Sequence, residues 1–157
     1  MDENKKKQAE KVYATLVNYF DGKGFSHTDE PEELVLRCTF KTDDLPADLR
    51  FKIIGELDLI HLLSTIPVQL SADRIEEGCL AACSASNDLF DGNFIVNSED
   101  GSIVYKLSYY YTGSIIGEEM IDYMLDMGLA MIDRYNDRFL LLQKGLLSAA
   151  EFVAQDE

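Results

Sequence analysis

No stretch of this 157-residue chain approaches the roughly 18 consecutive apolar residues that a membrane-spanning helix requires, so no membrane span is expected. Basic residues are also scarce: 14 Lys and Arg stand against 29 Asp and Glu, for a formal net charge of −15. Nucleic-acid binding depends on cations that displace counterions from phosphates, and a field of this sign repels phosphate backbones and anionic lipid. Neither nucleic acid nor membrane is therefore expected as a partner. An acidic surface fits solubility, or a basic partner segment. Cysteine is limited to three residues, an odd number, and no apolar stretch behind Lys5, Lys6 and Lys7 is long enough for a secretory leader. Reduced thiols and a cytoplasmic location are the expectation. Hydrophobic residues at 46% and charged residues at 27% are ordinary globular values, and the length fits one domain over residues 1–157.

The hydrophobic periods of the chain change in an informative order. From Lys5 to Phe20 the apolar residues Ala9, Val12, Tyr13, Leu16, Val17 and Phe20 follow helical spacing, and Gly22 and Gly24 supply a stop. Leu34, Leu36, Cys38 and Phe40 then alternate with Val35, Arg37, Thr39 and Lys41, which predicts a strand with one buried face. Leu49, Phe51 and Ile53 predict a second strand. Leu57 to Ile66 predicts a third, more continuously apolar and hence more central, which Pro67 ends because it has no N–H to donate. Ser71 is placed to cap a helix that runs to about Asn87, with Ile75, Cys79, Leu80, Ala82 and Cys83 as its packed residues. Phe94 and Val96 mark a short strand, Ser98-Glu99-Asp100-Gly101 a hairpin loop, and Ile103, Tyr105, Leu107, Tyr109 and Tyr111 one face of the returning strand. A helical stripe then runs through Ile121, Met124, Leu125, Gly128, Met131, Ile132, Tyr135, Phe139 and Leu142 to a stop at Gly145. Ser148 and Glu151 have capping-box spacing and predict a short last helix. The expectation is an α+β fold of order α-β-β-β-α-β-β-α, a five-stranded antiparallel sheet with helices packed on it.

Residues with chemical potential do not gather into a catalytic or metal-binding pattern. Cys79 and Cys83 lie four apart on a helix, but a zinc site needs four ligands, and only Cys38, His27 and His61 remain to complete it. Cysteine is also a small core hydrophobe, and that reading is preferred here. His61 lies on a strand face with Leu57, Leu59 and Leu63, whereas Ser64 and Asp58 fall on the opposite face, so no nucleophile and orienting acid surround it. The acidic clusters Asp43-Asp44, Glu30 to Glu33 and Glu99-Asp100 lack calcium-loop spacing. Neither catalytic residue nor cofactor site is assigned. The tyrosines of the last strand exceed what a core needs, and Tyr109, Tyr110, Tyr111 and Lys106 are the candidate partner-binding residues, with Tyr110 and Lys106 sharing a face.

The segment Asn87-Asp88-Leu89-Phe90-Asp91-Gly92-Asn93-Phe94, the hairpin Glu99-Asp100-Gly101-Ser102-Ile103-Val104-Tyr105 and the run Met131-Ile132-Asp133-Arg134-Tyr135 resemble the bacterial YbjN-like family, also called sensory transduction regulators. The resemblance covers about residues 8–143 and is strongest from residue 71 onward. It implies the type III secretion chaperone-like fold, a homodimer, and no catalytic residues. Chaperones of that fold hold segments of a partner protein in extended form. The Tyr-rich fifth strand and the extra helix near Ser148 depart from those chaperones. Two functions follow from different classes. One is a non-enzymatic interaction, chaperone-like or regulatory module that binds an extended or helical segment. The alternative is a small-molecule binder or enzyme with a pocket beneath the last long helix, near His61 and the tyrosines.

Overall fold

The computed structural model describes residues 2–87 and 89–154, with the side chain of residue 153 excepted. Helix α1 (Glu3–Lys23) starts where the Asp2 carboxylate accepts the Asn4 N–H and stops at Gly24, whose left-handed backbone returns its N–H to the last turn. It buries Ala9, Val12, Tyr13, Leu16, Tyr19 and Phe20, nearly the stripe that the spacing marks.

The strands are β1 (Thr28–Glu30), β2 (Val35–Phe40), β3 (Ala47–Ile54), β4 (Leu59–Gln69), β5 (Asn93–Val96) and β6 (Ser102–Tyr110). They form one antiparallel sheet in the order β1-β2-β3-β4-β6-β5. There are six strands rather than five. The additional one, β1, has three polar residues and no alternation to betray it; pairing with β2 and an ion pair between Glu30 and Arg37 hold it in place. The third strand of the sequence pattern is indeed central, between β3 and β6, but it starts two residues late. Gly55–Leu57 form a 3-10 turn and Asp58 adopts a left-handed backbone before β4 begins. Pro67 does not end β4. It stands beyond the last β3 pair at Thr65, and in the irregular step between Ile66 and Gln69 on the β6 side, so its missing N–H leaves no ladder partner unsatisfied.

Helices α1 and α3 (Glu118–Gln143) cover one face of the sheet. The stripe of α3 settles on β3, β4 and β6, and Gly128 permits the closest approach: a Cβ there would lie 2.6 Å from Leu62 Cδ2. Ile60, Leu62, Tyr105, Ile121, Met124, Ile132, Tyr135 and Phe139 make a fully buried layer between helix and sheet. Each such side chain contributes about 1.5–3 kcal/mol by leaving water. Helix α4 (Ala149–Ala154) has the expected capping box, with Glu151 accepting the Ser148 N–H at 2.8 Å and Ser148 Oγ accepting the Glu151 N–H at 3.3 Å. Its Phe152 is buried against Tyr135 and Phe139, and Arg138 Nη2 donates to the Phe152 carbonyl at 2.6 Å.

Helix α2 (Ile75–Asn87) departs from expectation. A 3-10 turn (Ala72–Arg74) precedes it, and the Ser71 side chain makes no capping bond to it. The buried residues are Gly78, Ala81, Ala82 and Ala85; Cys79, Leu80 and Cys83 face outward. The reason is steric. A Cβ on Gly78 would meet Leu70 Cδ1 at 2.1 Å, so a larger residue there would have to displace the Leu70 side chain, and the small residues face this part of the molecule.

The β5–β6 hairpin closes as the Asp-Gly signal predicts. Gly101 has φ 73°, donates to the Asn97 carbonyl at 2.8 Å and accepts the Leu70 N–H at 2.9 Å. A Cβ at Gly101 would lie 2.1 Å from the Leu70 carbonyl oxygen, a rigid obstacle. Gly101→Ala therefore combines left-handed strain with a backbone clash and is expected to cost roughly 2–4 kcal/mol. A lowered urea midpoint at unchanged slope would report it, and an unchanged midpoint would contradict the packing described.

Candidate partner-binding surfaces

The face of the sheet turned away from α1 and α3 is built by alternate residues of all six strands. Pairing places them in rows. One row reads Thr28, Arg37, Arg50, Leu63, Lys106, Asn93; a neighbouring row reads Glu30, Val35, Lys52, His61, Ser108. On the other side of the first, Thr39, Asp48, Thr65, Val104 and Ile95 line up. An open concavity of about 700 Å³ lies over this face, with Arg37, Arg50, Leu63, Thr65 and Val104 in its lining.

Its charge is opposite to that of the chain as a whole. The strand residues here include four bases, Arg37, Arg50, Lys52 and Lys106, but only two acids, Glu30 and Asp48. Both acids are engaged. Arg37 Nε donates to Glu30 Oε1 at 2.8 Å, and Thr39 Oγ1 donates to Asp48 Oδ1 at 2.6 Å. The Arg37 hydrogen bond holds the Glu30 carboxyl below its ordinary value, and the charges of Arg37, Arg50 and Lys52 add to the effect. Arg50 stands directly across from Arg37, and its Nε is buried with no hydrogen-bond partner among the described residues. Like charges opposite each other destabilise a strand pair, and an unsatisfied buried donor costs about 1–3 kcal/mol. The fold itself gains nothing from this arrangement.

His61 Nδ1 and Ser108 Oγ share a hydrogen bond of 2.6 Å on the same face. Burial, and secondarily the Lys106 charge, hold the imidazole below its ordinary value of 6.5. His61 thus faces away from α3, whereas Ile60 and Leu62, its neighbours on β4, lie in the closed layer beneath that helix. A pocket beneath α3 beside His61, as the alternative function requires, is contradicted by this placement.

Among the tyrosines, Tyr110 is 72% exposed and shares the open face with the half-buried Lys106. Tyr109 and Tyr111 point to the helix side. Tyr109 and Tyr123 both donate to Asp91 Oδ2, at 2.7 and 2.5 Å, and Tyr105 donates to the Asp91 carbonyl at 3.0 Å. Burial chiefly, with the Asp91 hydrogen bond next, raises the Tyr109 hydroxyl well above its ordinary value and keeps it a neutral donor. Tyr111 is fully enclosed. The four candidates therefore divide into an exposed pair, Tyr110 and Lys106, and an interior pair, Tyr109 and Tyr111. Asp91 escaped sequence reasoning because a turn-forming Asp-Gly accounts for it locally; the surplus of tyrosines was the only signal.

A second surface lies along α2 and the segment leading into the edge strand β5. Leu80 is 65% exposed and Phe90 is fully exposed, with Cys79 and Cys83 on the outer side of the helix. Treating these two cysteines as core hydrophobes is thus incorrect. Cys38 alone is buried, and burial pushes its thiol up to about 12. Among the described residues no three His, Cys, Asp or Glu side chains are placed to hold a metal ion, and no helix is long and apolar enough to cross a membrane.

With this geometry in place, comparison with solved structures is decisive for the fold. The chain superposes on YbjN of E. coli, a proposed transcription regulator, with a TM-score of 0.60 and 11% identity over 78% of this chain and 87% of that one. It superposes on ExsC from the ExsC–ExsE complex with a TM-score of 0.59 and 16% identity, over 87% of this chain and 96% of that one. The fold is YbjN-like and type III secretion chaperone-like. No family model and no curated protein matches the sequence. At these identities the likeness concerns architecture, and residue roles rest on this molecule's own geometry.

Two measurements test the surfaces. Cys79 and Cys83 are expected to react rapidly with a thiol reagent in the native protein, and Cys38 only after unfolding; three equal rates would contradict the burial pattern. By NMR, the His61 imidazole is expected to titrate below 6.5. Because the unfolded state then binds the proton more readily, the stability tied to His61 is complete above that value and is lost as pH falls through the folded one. Lys106→Gln should raise the midpoint only in part, since burial is the larger cause.

Proposed function

We propose that this protein is a non-enzymatic interaction module, chaperone-like or regulatory, that works in the cytoplasm as a one-domain homodimer and binds a segment of a partner protein. The observation that carries this reading is the apolar surface of α2 and Phe90. Leu80 and Phe90 are large and exposed, whereas the edge of β5 is covered in part by α2, whose Ser86 Oγ accepts the Phe94 N–H. Apolar surface of this kind marks an interface, because water solvates the side chains poorly. A second copy of the chain is the occupant assigned to it. The partner segment then has the remaining surface, including Tyr110 and Lys106, available to it. That ExsC, with the same fold, is found in a complex with ExsE supports a protein as the ligand class. Ser108 Oγ lies against His61 Nδ1, but no acid among the described residues pairs with that imidazole, and this together with the exposed apolar side chains favours this reading over an enzyme.

Light scattering after size exclusion is expected to give twice the 17.7 kDa chain mass. Leu80→Glu places a charge in the assigned interface and is expected to weaken self-association by at least about tenfold, or 1.4 kcal/mol. A wild-type monomer at micromolar concentration would refute the dimer, and a Leu80→Glu dimer of undiminished strength would refute the location.

A further inference from the structure

The interaction reading leaves open what the partner segment is made of, and the open face of the sheet bears on that question. We infer that this face binds an acidic, extended protein segment whose carboxylates meet Arg50 and Lys106 and whose apolar residue lies on Leu63. The inference rests on the interaction-module reading and deepens it, and it reverses the expectation of a basic partner drawn from the overall charge.

Four of the 14 basic residues, Arg37, Arg50, Lys52 and Lys106, converge on this face, against two of the 29 acids. Both acids already have partners: Glu30 is taken by Arg37, and Asp48 accepts from Thr39. No ion pair of 4 Å or less joins Arg50, Lys52 or Lys106 to an acid among the described residues. Arg50 bears the strongest sign of an unfilled role, since it faces Arg37 across the strands and keeps an unsatisfied, buried Nε–H. A carboxylate that approached along the concavity would pair with the accessible part of the Arg50 guanidinium and supply the missing negative charge.

The layout also selects a peptide. Arg50, Leu63 and Lys106 are register neighbours on three adjacent strands. Strands lie about 4.8 Å apart, so the two cations stand roughly 10 Å apart with an apolar floor between them. An extended segment that presents acid, apolar and acid side chains at alternate positions, crossing the strands, matches cation, leucine and cation. Val104 and Thr65 extend the floor on one side, and His61 with Ser108 borders the other. A nucleic acid would need to run its phosphates beyond this patch and into a molecule of net charge −15. A short segment stays within it, and at physiological salt a screening length of about 8 Å lets the local cations dominate.

The test uses the full chain and a fluorescein-labelled peptide of repeating Glu-Ser-Leu-Ser sequence, with a Lys-Ser-Leu-Ser peptide, inorganic phosphate and a single-stranded oligonucleotide for comparison. Fluorescence anisotropy is expected to show binding of the acidic peptide only, weakened several-fold between 50 and 300 mM salt, as the screening length falls from about 14 to about 6 Å. Combined Arg50→Gln and Lys106→Gln should weaken it at least tenfold, while Lys7→Gln, on the outer side of α1, should not. Should the double variant fold poorly, the wild-type protein supplies an independent readout: a bound carboxylate should raise the His61 NMR titration midpoint. Equal affinity of wild type and the folded double variant would overturn the proposal. So would preferential binding of the oligonucleotide, full displacement of the peptide by millimolar phosphate, or binding of the lysine peptide instead. Failure here with a dimer that Leu80→Glu disrupts would remove the acidic ligand and leave the interaction module standing. Peptide binding by a chain that is monomeric throughout would keep the acidic ligand and remove the dimer.

Discussion

The seat of α3 on β4, where Gly128 lets Leu62 come within reach of the helix backbone, is the contact on which the rest of the arrangement depends. β4 is paired along both edges, by β3 and β6, and its Ile60, Leu62 and Ile66 are covered from above. With α3 fixed there, its far end positions Phe139 and Tyr135 for Phe152 of α4, and its near end brings Tyr123 to Asp91. One face of the sheet is thereby closed completely. What a partner can meet is confined to the opposite face, the edges and the outer sides of the helices.

That division sorts the charges. Residues of the strands that point under the helices are mostly apolar, with the buried Ser64 an exception, and the same strands carry Arg37, Arg50, Lys52 and Lys106 on the other side. Period-two alternation is commonly read as buried against solvated. Here the solvated half is not a neutral choice, because an acidic protein has gathered cations on it and placed two of them across from each other. Stability alone would have favoured opposite charges in those positions.

How much of this was legible in the sequence depends on whether a residue's role is local. The stripes of α1 and α3, the Asp-Gly hairpin at Gly101 and the Ser148–Glu151 cap are consequences of residues within a few positions of one another, and the spacing reveals them. Strand β1 was invisible because Thr28–Glu30 has no pattern apart from its partner β2. The orientation of α2 was misjudged because hydrophobicity ranks Cys79, Leu80 and Cys83 above Gly78 and Ala81, whereas the small ones fit the space beside Leu70 and Val96 without displacing Leu70. The basic face was hidden for a third reason. Its members lie on β2, β3 and β6, up to 69 positions apart between Arg37 and Lys106, and a net charge of −15 conceals them in any average.

The inverted packing of α2 has a thermodynamic corollary. A helix that turns glycine and alanine inward and leucine outward gains little from the dehydration of its own chain, and most of its apolar area stays hydrated after folding. Whatever covers Leu80 and Phe90 will therefore release that water in a step separate from folding. Its calorimetric mark is a negative heat-capacity change with little response to ionic strength. Binding at the cationic face of the sheet would give the converse pattern, so two contacts on one small molecule can be told apart by heat alone.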